Sequence, residues 1–392
     1  MCRIQQVAKN PQVQSALNSF VERQVELEEL IIAIQQIPSP TFGEKDRAAF
    51  VEARFAELGL QDVEQDSIHN VFGRLPGKSL YSSWPVILSA HSDTVFPVQT
   101  DLTVRREGRY LFGPGIGDNS TGVAGLLLLA QTLKRFGIQP EEDLWFVCNV
   151  GEEGMGDLRG MRAVVQRFGD QAIYIVVEGG SYGQIMHKAI GVGRFRIEIE
   201  TAGGHSWGSF GQPSAVHEMG HLISALDEMK VPLRPRTTYN VGTVEGGTTI
   251  NSIAASSILL LDLRSEESSE LERLVRRVHD IVAGRLTEAK RRGKKLSYRV
   301  EQVGDRPAGR IPREDPLIQW AEDALQYVDH SPITFIAGST DCNIPLSKGL
   351  RSVCIGLTCS GNSHRQDEYI EPEYLPLGMQ QLLLIALAAA RF

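Results

Sequence analysis

The sequence predicts an α/β protein: a mostly parallel, mixed sheet flanked by helices, interrupted by an inserted ferredoxin-like β-α-β-β-α-β domain. Three observations carry this. Short apolar runs alternate with helical patterns as far as about Lys188. From Gly191 onward, apolar residues alternate one-to-one with charged ones. After Pro307 the first grammar returns. A chain of 392 residues exceeds one ordinary core, so we expect a discontinuous outer domain, residues 1–188 and 305–392, around an inserted domain at residues 189–304.

The elements follow in order. Leu17, Phe20, Val21, Leu27, Ile31 and Ile34 recur at helical spacing, which predicts one amphipathic helix from Val13 to Gln36. A second helix runs from Lys45 to Leu58, stopped by Gly59. The stretch Val86 to Ala90 is a strand, Thr121 to Phe136 a helix, and Leu144 to Val150 and Ile173 to Val177 two more strands. Phe195, Ile197 and Ile199 alternate with arginines and glutamates, the mark of a half-buried strand. A helix from Ser214 to Met229, strands at Thr237 to Val244 and Ala254 to Arg264, a helix from Glu267 to Arg291 and a strand from Leu296 to Val303 complete the insert. The outer domain resumes with a helix from Pro316 to Val328, a strand from Arg351 to Leu357 and a closing helix after Pro376.

Composition excludes several classes. The net charge is −8 and no long basic run exists, so nucleic acid is not an expected partner. Cys2, Cys148, Cys342, Cys354 and Cys359 are odd in number and form no C-x-x-C pair, which argues against a disulfide framework and for a reducing compartment. The start, MCRIQQVAKNPQ, lacks the apolar core of a signal peptide, and no apolar stretch is long enough to span a bilayer. We therefore expect a cytoplasmic protein without a membrane partner.

Five short motifs concentrate the acids and histidines: Ala90-His91-Ser92-Asp93, Gly117-Asp118-Asn119, Gly151-Glu152-Glu153-Gly154, Val177-Glu178-Gly179 and Asn362-Ser363-His364. Four sit just past an apolar run, and the Asp118 motif precedes a helix. The C-terminal strand edge of an open α/β sheet is where ligands bind, so these residues should converge there. Read as loop acids or helix caps, each of the five would need its own explanation. His91, Asp118, Glu153, Glu178 and His364 suit two zinc-like ions, with one carboxylate bridging. Two ions about 3.5–4 Å apart can share a water and lower its pKa. Asp93, two residues past His91, is placed to accept the ring's other N–H. Of the adjacent Glu152 and Glu153, one can bind metal while the other handles protons.

The motifs HSDTVFP, GPGIGDNSTGVAGLL, VGEEGMGDLRG, VVEGG, AGGHSWG and NSHRQDEYIE resemble, in order and along nearly the whole chain, those of the metallo-exopeptidase family containing glutamate carboxypeptidase, aminoacylase-1, succinyl-diaminopimelate desuccinylase and peptidase T. The resemblance implies that His91, Asp118 and Glu178 hold one ion and Asp118, Glu153 and His364 the other, with Asp118 bridging and its bond to Asn119 cis. It implies Glu152 as general base, Asp93 as the residue orienting His91, and His205 reaching the other subunit's site to help hold the oxyanion. The insert would be the family's lid or dimerisation domain, making a homodimer. Asn251 and Arg264 would grip the substrate's terminal carboxylate, as would the loop beginning Gly338-Ser339. Zinc is the first expectation for both ions, with manganese and cobalt as alternatives.

A rival motif needs an answer. His217-Glu218-Met219-Gly220-His221 matches H-E-x-x-H on a predicted helix, the signature of a mononuclear zinc protease. It falls inside the insert, away from the other motifs, and Glu245 is the one nearby candidate for a third ligand. We therefore expect a plain amphipathic helix there. On substrate, relatives with glutamate at the Glu178 position tend to be carboxypeptidases and deacylases. This favours N-acyl amino acids or small peptides with a free carboxylate. The HSDTV and GSTDCN segments resemble the peptidase T branch instead and keep a di- or tripeptide aminopeptidase open. A non-catalytic peptide- or amino-acid-binding protein on the same fold is the alternative from another class.

Overall fold

The computed structural model describes residues 2–330 and 332–392. It divides into two compact units, residues 1–189 with 310–392, and residues 190–309.

The first unit is built on a mixed sheet. Its centre is four parallel strands, Leu144–Asn149, Val86–His91, Ile173–Glu178 and Ser352–Gly356, adjacent in that order. The Val86–His91 strand is buried along its whole length, as expected of a strand covered on both faces. Antiparallel strands flank the centre: Gln61–Gln65 and Val71–Leu75 on one side, Gln184–Ala189 on the other, with Thr334–Gly338 parallel to the last. None of these four flanking strands was legible in the sequence. The first is half exposed and too short to show a period.

The helices Gly122–Arg135 and Leu375–Ala389 are buried almost all round, which explains their unbroken apolar runs. Fifteen residues at about 1.5 Å each fall well short of a bilayer. Among the described residues no helix is long and apolar enough to cross a membrane. The single helix expected over 13–36 is in fact two, Pro11–Glu22 and Gln24–Gln35, broken at Arg23, and a further helix, Arg3–Ala8, precedes them. At the break Arg23 leaves helical geometry, with φ −104° and ψ 17°. The buried Arg23 guanidinium donates to Thr132 Oγ1 at 3.0 Å and to both Glu26 oxygens, at 2.7 and 2.8 Å.

The second unit has four antiparallel strands in the spatial order Thr237–Gly246, Ser256–Ser265, Gly191–Thr201 and Leu296–Arg306. Helices Ala215–Asp227 and Ser268–Arg291 supply the rest of a separate core. There Phe195, Ile197, Leu261 and Leu263 meet Met219, Leu222, Leu271 and Val278. The last strand extends past Val303 to pair Arg306 with Val192, so the unit ends at Gly309 rather than at the expected residue 304.

Candidate metal centre

The parallel register sets three of the expected ligands side by side. His91 ends one central strand, Glu178 ends its neighbour, and Glu153 follows the loop after Asn149. Asp118 comes from the irregular turn Ile116–Thr121, which precedes the buried helix and contains a cis Asp118–Asn119 peptide. Asn119 anchors this turn to the sheet, donating from Nδ2 to Val177 O at 2.9 Å and accepting from Gly122 N at 3.0 Å. A Cβ on Gly179 would collide with the Gly117 carbonyl, so glycine there lets the Asp118 and Glu178 loops touch. His364 arrives on a separate loop with φ of 69°, left-handed backbone that a side chain seldom adopts without compensation.

Two donor groups result, His91–Asp118–Glu178 and Asp118–Glu153–His364, with the ligand atoms of each within 4.8 Å of one another. His91 Nε2 lies 3.1 Å from Asp118 Oδ1 and 3.5 Å from Glu178 Oε2. His364 Nε2 lies 3.2 Å from Asp118 Oδ2 and 3.1 Å from Glu153 Oε1. Ligand atoms about 2.0–2.2 Å from a tetrahedral zinc stand about 3.3–3.6 Å apart, so these spacings need only a slight expansion to admit an ion. Asp118 spans both groups with its two oxygens. The donor set therefore fits two divalent cations.

The metal-free electrostatics agree. Burial pushes the His91 imidazole down, but hydrogen bonds to Asp118, Asp93 and Glu178 prevail and raise it well above the usual range. Asp118 and Glu153 push His364 up to about 10. Asp118 is held well below the usual carboxylate range, since its two histidines outweigh burial, whereas burial leaves Glu178 raised. Protons on the two rings thus stand where cations would otherwise balance the carboxylates.

Around the ligands the structure refines the expected roles. His91 Nδ1 is 3.0 Å from the main-chain carbonyl of Asp93, closer than the 3.6 Å to its carboxylate, and donation to this carbonyl leaves Nε2 free for metal. The Asp93 carboxylate instead accepts from the peptide N–H groups of Glu152 and Glu153, each at 3.0 Å, and from Thr41 Oγ1 at 3.0 Å. The carboxylate thus orders the Glu152-Glu153 pair, and the main-chain carbonyl of the same residue orders the histidine. Ser339 follows the strand Thr334–Gly338, and its buried Oγ has no hydrogen-bond partner among the described residues. Asp341 of the same loop is buried, accepts from Asn149 Nδ2 at 2.6 Å, and is pushed up to about 7 by burial. Asn149 lies in register with His91, so this loop is tied to the edge that carries the centre.

Three contributors escaped the sequence reading. Arg47 is fully buried and donates to Ile37 O at 2.7 and 3.1 Å and to Ser92 O at 2.9 Å. Burial lowers its guanidinium to about 10. Its signal was present, because Arg47, Val51 and Phe55 share the buried face of one helix. Glu368 accepts three peptide N–H groups of the turn leading to Asp118. Thr41 is the third donor to Asp93.

In the second unit, His205 and Asn251 lie together. His205 pairs with Ser252 across a short ribbon, and Ser206 N donates to Asn251 O at 3.0 Å. His205 Nδ1 accepts from Trp207 N and Gly208 N at 3.2 and 3.3 Å, which leaves the ring proton on the exposed Nε2. Arg264 is elsewhere. It stands eight residue steps, about 26 Å, along its strand from Ser256, whereas Asn251 belongs to the loop that precedes that strand, and the Arg264 Nε meets Asp262 at 2.7 Å. Arg264 thus stands near the far end of the strand from the loop that carries Asn251. The H-E-x-x-H helix forms as expected, but Glu218 is buried and paired with Lys294 and Arg285, while His217 and His221 are exposed. Glu218 is therefore turned away from the face its histidines share.

A family model described as peptidase family M20/M25/M40 matches residues 87–388. A candidate succinyl-diaminopimelate desuccinylase from Mycobacterium tuberculosis is 28% identical, over 87% of this chain and 92% of its own length. Carboxypeptidase G2 of a Pseudomonas strain is 25% identical over 57% of this chain and 55% of its own. Among solved structures, a Staphylococcus aureus tripeptidase superposes with a TM-score of 0.78 at 23% identity, covering 94% of this chain and 99% of its own. Aminopeptidase PepT of Bacillus cereus gives 0.75 at 21% identity, covering 94% and 99%. These structural likenesses establish the fold.

Proposed function

Because this chain belongs to the peptidase M20/M25/M40 family, whose members are metal-dependent hydrolases, we propose that it is a two-cation exopeptidase or deacylase cleaving an amide bond beside a free carboxylate. The observation that carries the reading is the sharing of Asp118 by two three-residue donor groups. His91, Asp118 and Glu178 hold one cation, and Asp118, Glu153 and His364 the other; zinc suits this set, and manganese or cobalt are alternatives.

When bound, such a pair supplies positive charge that acidifies a water and polarises a carbonyl. Glu152 accepts the proton of the attacking water and returns it to the leaving nitrogen. Asp93 keeps Glu152 in place through its peptide N–H. His205, with its proton on Nε2, donates to the carbonyl oxygen as charge develops there. Asn251, Arg264 and the Gly338-Ser339 turn bind the substrate carboxylate.

The separation of Arg264 from Asn251 favours a homodimer in which these residues come from different copies. The second unit then acts as a ferredoxin-like lid and dimerisation domain. Its edge strand Thr237–Gly246 supports this, being exposed along most of its length and carrying one charged residue, Glu245, where natural free edges are usually blunted by charge or proline.

The test is metal analysis with a paired substrate screen. N-acyl amino acids with a free carboxylate should be cleaved. Peptides with a free amine and a blocked C-terminus should not. Cleavage of the second set alone would replace this reading with an aminopeptidase. Absence of both metal and turnover would leave a peptide- or amino-acid-binding protein.

A further inference from the structure

We propose that Glu368 is a positioning residue of the metal centre, shaping the Gly115–Asp118 turn that presents the shared ligand and coupling it to the segment that carries His364. The inference rests on the two-cation reading above. The Glu368 side chain is buried. Its Oε1 accepts from Gly117 N and Asp118 N, each at 2.8 Å, and its Oε2 from Gly115 N at 3.2 Å. Its main-chain carbonyl accepts from Gly113 N at 2.9 Å. One residue thus takes four peptide N–H groups from the six residues that lead into the shared ligand.

The turn needs such an acceptor. Asp118 (φ −112°, ψ 90°) and Asn119 (φ −132°, ψ 39°) depart from helical geometry, so no regular ladder satisfies the preceding amides. Three converging N–H donors favour an ionised carboxylate, which has two acceptor oxygens and no proton to place, against burial and the nearby Asp118, which push Glu368 up to about 7. Glutamine would aim its NH2 at one of them. The sequence also leaves room for the carboxylate. A Cβ on Gly117 would meet Glu368 Oε1 at 3.1 Å, Ile370 Cγ2 at 3.2 Å and Ser360 Cβ at 3.2 Å.

The link to His364 is local. Glu368 lies four residues beyond it, and Glu368 N donates to Arg365 O at 3.1 Å. A shift of the carboxylate therefore displaces the main chain of Asp118 on one side and the His364 loop on the other. Burying a second carboxylate beside Asp118 is unfavourable by itself and is offset once cations occupy the centre.

Wild-type, Glu368→Gln and Gly117→Ala proteins would be stripped of metal and titrated with Zn²⁺ against a competing chelator. Thermal unfolding of each stripped protein would be followed in parallel. We expect both variants to fold and to bind zinc about 10–100-fold more weakly, with excess zinc restoring turnover. A role confined to stability would lower the unfolding temperature and leave zinc affinity at the wild-type value, and that result overturns the proposal. Should Glu368→Gln fail to fold, Gly117→Ala decides by the same criterion. A wild-type protein that binds no zinc, manganese or cobalt sinks the two-cation reading, and this inference with it.

Discussion

Replacing Asp93 by asparagine tests how far the centre depends on one buried carboxylate. Asp93 has no solvent exposure, and its oxygens accept from Glu152 N, Glu153 N and Thr41 Oγ1, each at 3.0 Å. Asparagine keeps the shape but has a single acceptor oxygen, and its NH2 would face a peptide N–H. The lost charge-assisted hydrogen bond costs about 1.5–3 kcal/mol, and the stranded amide about 1–3 kcal/mol more. Removing a buried charge recovers part of this. Burial opposes ionisation of Asp93, yet His91 and the two peptide N–H groups outweigh it and hold the carboxyl below the usual range. The fold therefore favours the ionised form, and the net effect is a loss of about 2–4 kcal/mol. Expressed at the site, that is roughly a 30- to 1,000-fold fall in kcat/KM. Steady-state kinetics at several metal concentrations, with urea unfolding of the stripped protein, would measure both parts. An Asp93→Asn enzyme with wild-type kcat/KM and wild-type metal affinity would refute the argument.

Glu152→Gln should retain both cations and lose about 10²–10⁴-fold in turnover; near-normal activity with confirmed metal content removes Glu152 as the base. Metal binding should release protons, since His91 is raised and His364 is pushed up to about 10 in the metal-free chain. Calorimetry in buffers of different ionisation enthalpy would detect this, and affinity should rise from neutral pH towards about pH 10. The sign for stability is opposite. The folded-state pKa of His364 is raised, so the stability it contributes to the stripped protein is complete below about pH 6.5 and lost as pH climbs through about 10. Urea titrations of stripped protein across that window would show the decline. The double variant His217→Ala, His221→Ala should keep metal and activity, because Glu218 is held by Lys294 and Arg285 and both histidines face solvent; loss of all metal would restore the H-E-x-x-H reading.

The central parallel strands were legible because both their faces are covered, which leaves near-continuous apolar runs in the sequence. The motifs of His91, Glu153 and Glu178 stood out because this register puts them at or just past strand ends, whereas Asp118 comes from a turn before a helix and His364 from a separate loop. The flanking hairpin at 61–75 was not legible, since its first strand is mostly exposed, its second is buried but interrupted by Gly73 and Arg74, and five residues are too few to show a period. Asp93 was assigned to orienting His91, but sequence spacing could not show that its carboxylate reaches across to the Glu152-Glu153 peptides. Glu368 stood in a quoted motif without a role, because an acceptor of main-chain amides leaves no pattern in the residues it serves. Arg264 and Asn251 were grouped by resemblance alone, and only the length of an extended strand separates them.

The order of the ligands along the chain bears on biosynthesis. The segment from residue 190 to residue 309 is contiguous and has its own core, whereas the unit bearing the centre is split around it. His91, Asp118, Glu153 and Glu178 leave the ribosome before that segment, and His364 leaves after it. The inserted unit can therefore finish folding while four of the five proposed ligands wait for the last. On the two-cation reading the second group stays incomplete until residue 364 has been made, and the turn bearing Asp118, common to both groups, lacks its Glu368 acceptor until four residues later. The proposed cation pair can therefore assemble only after the inserted segment has been made.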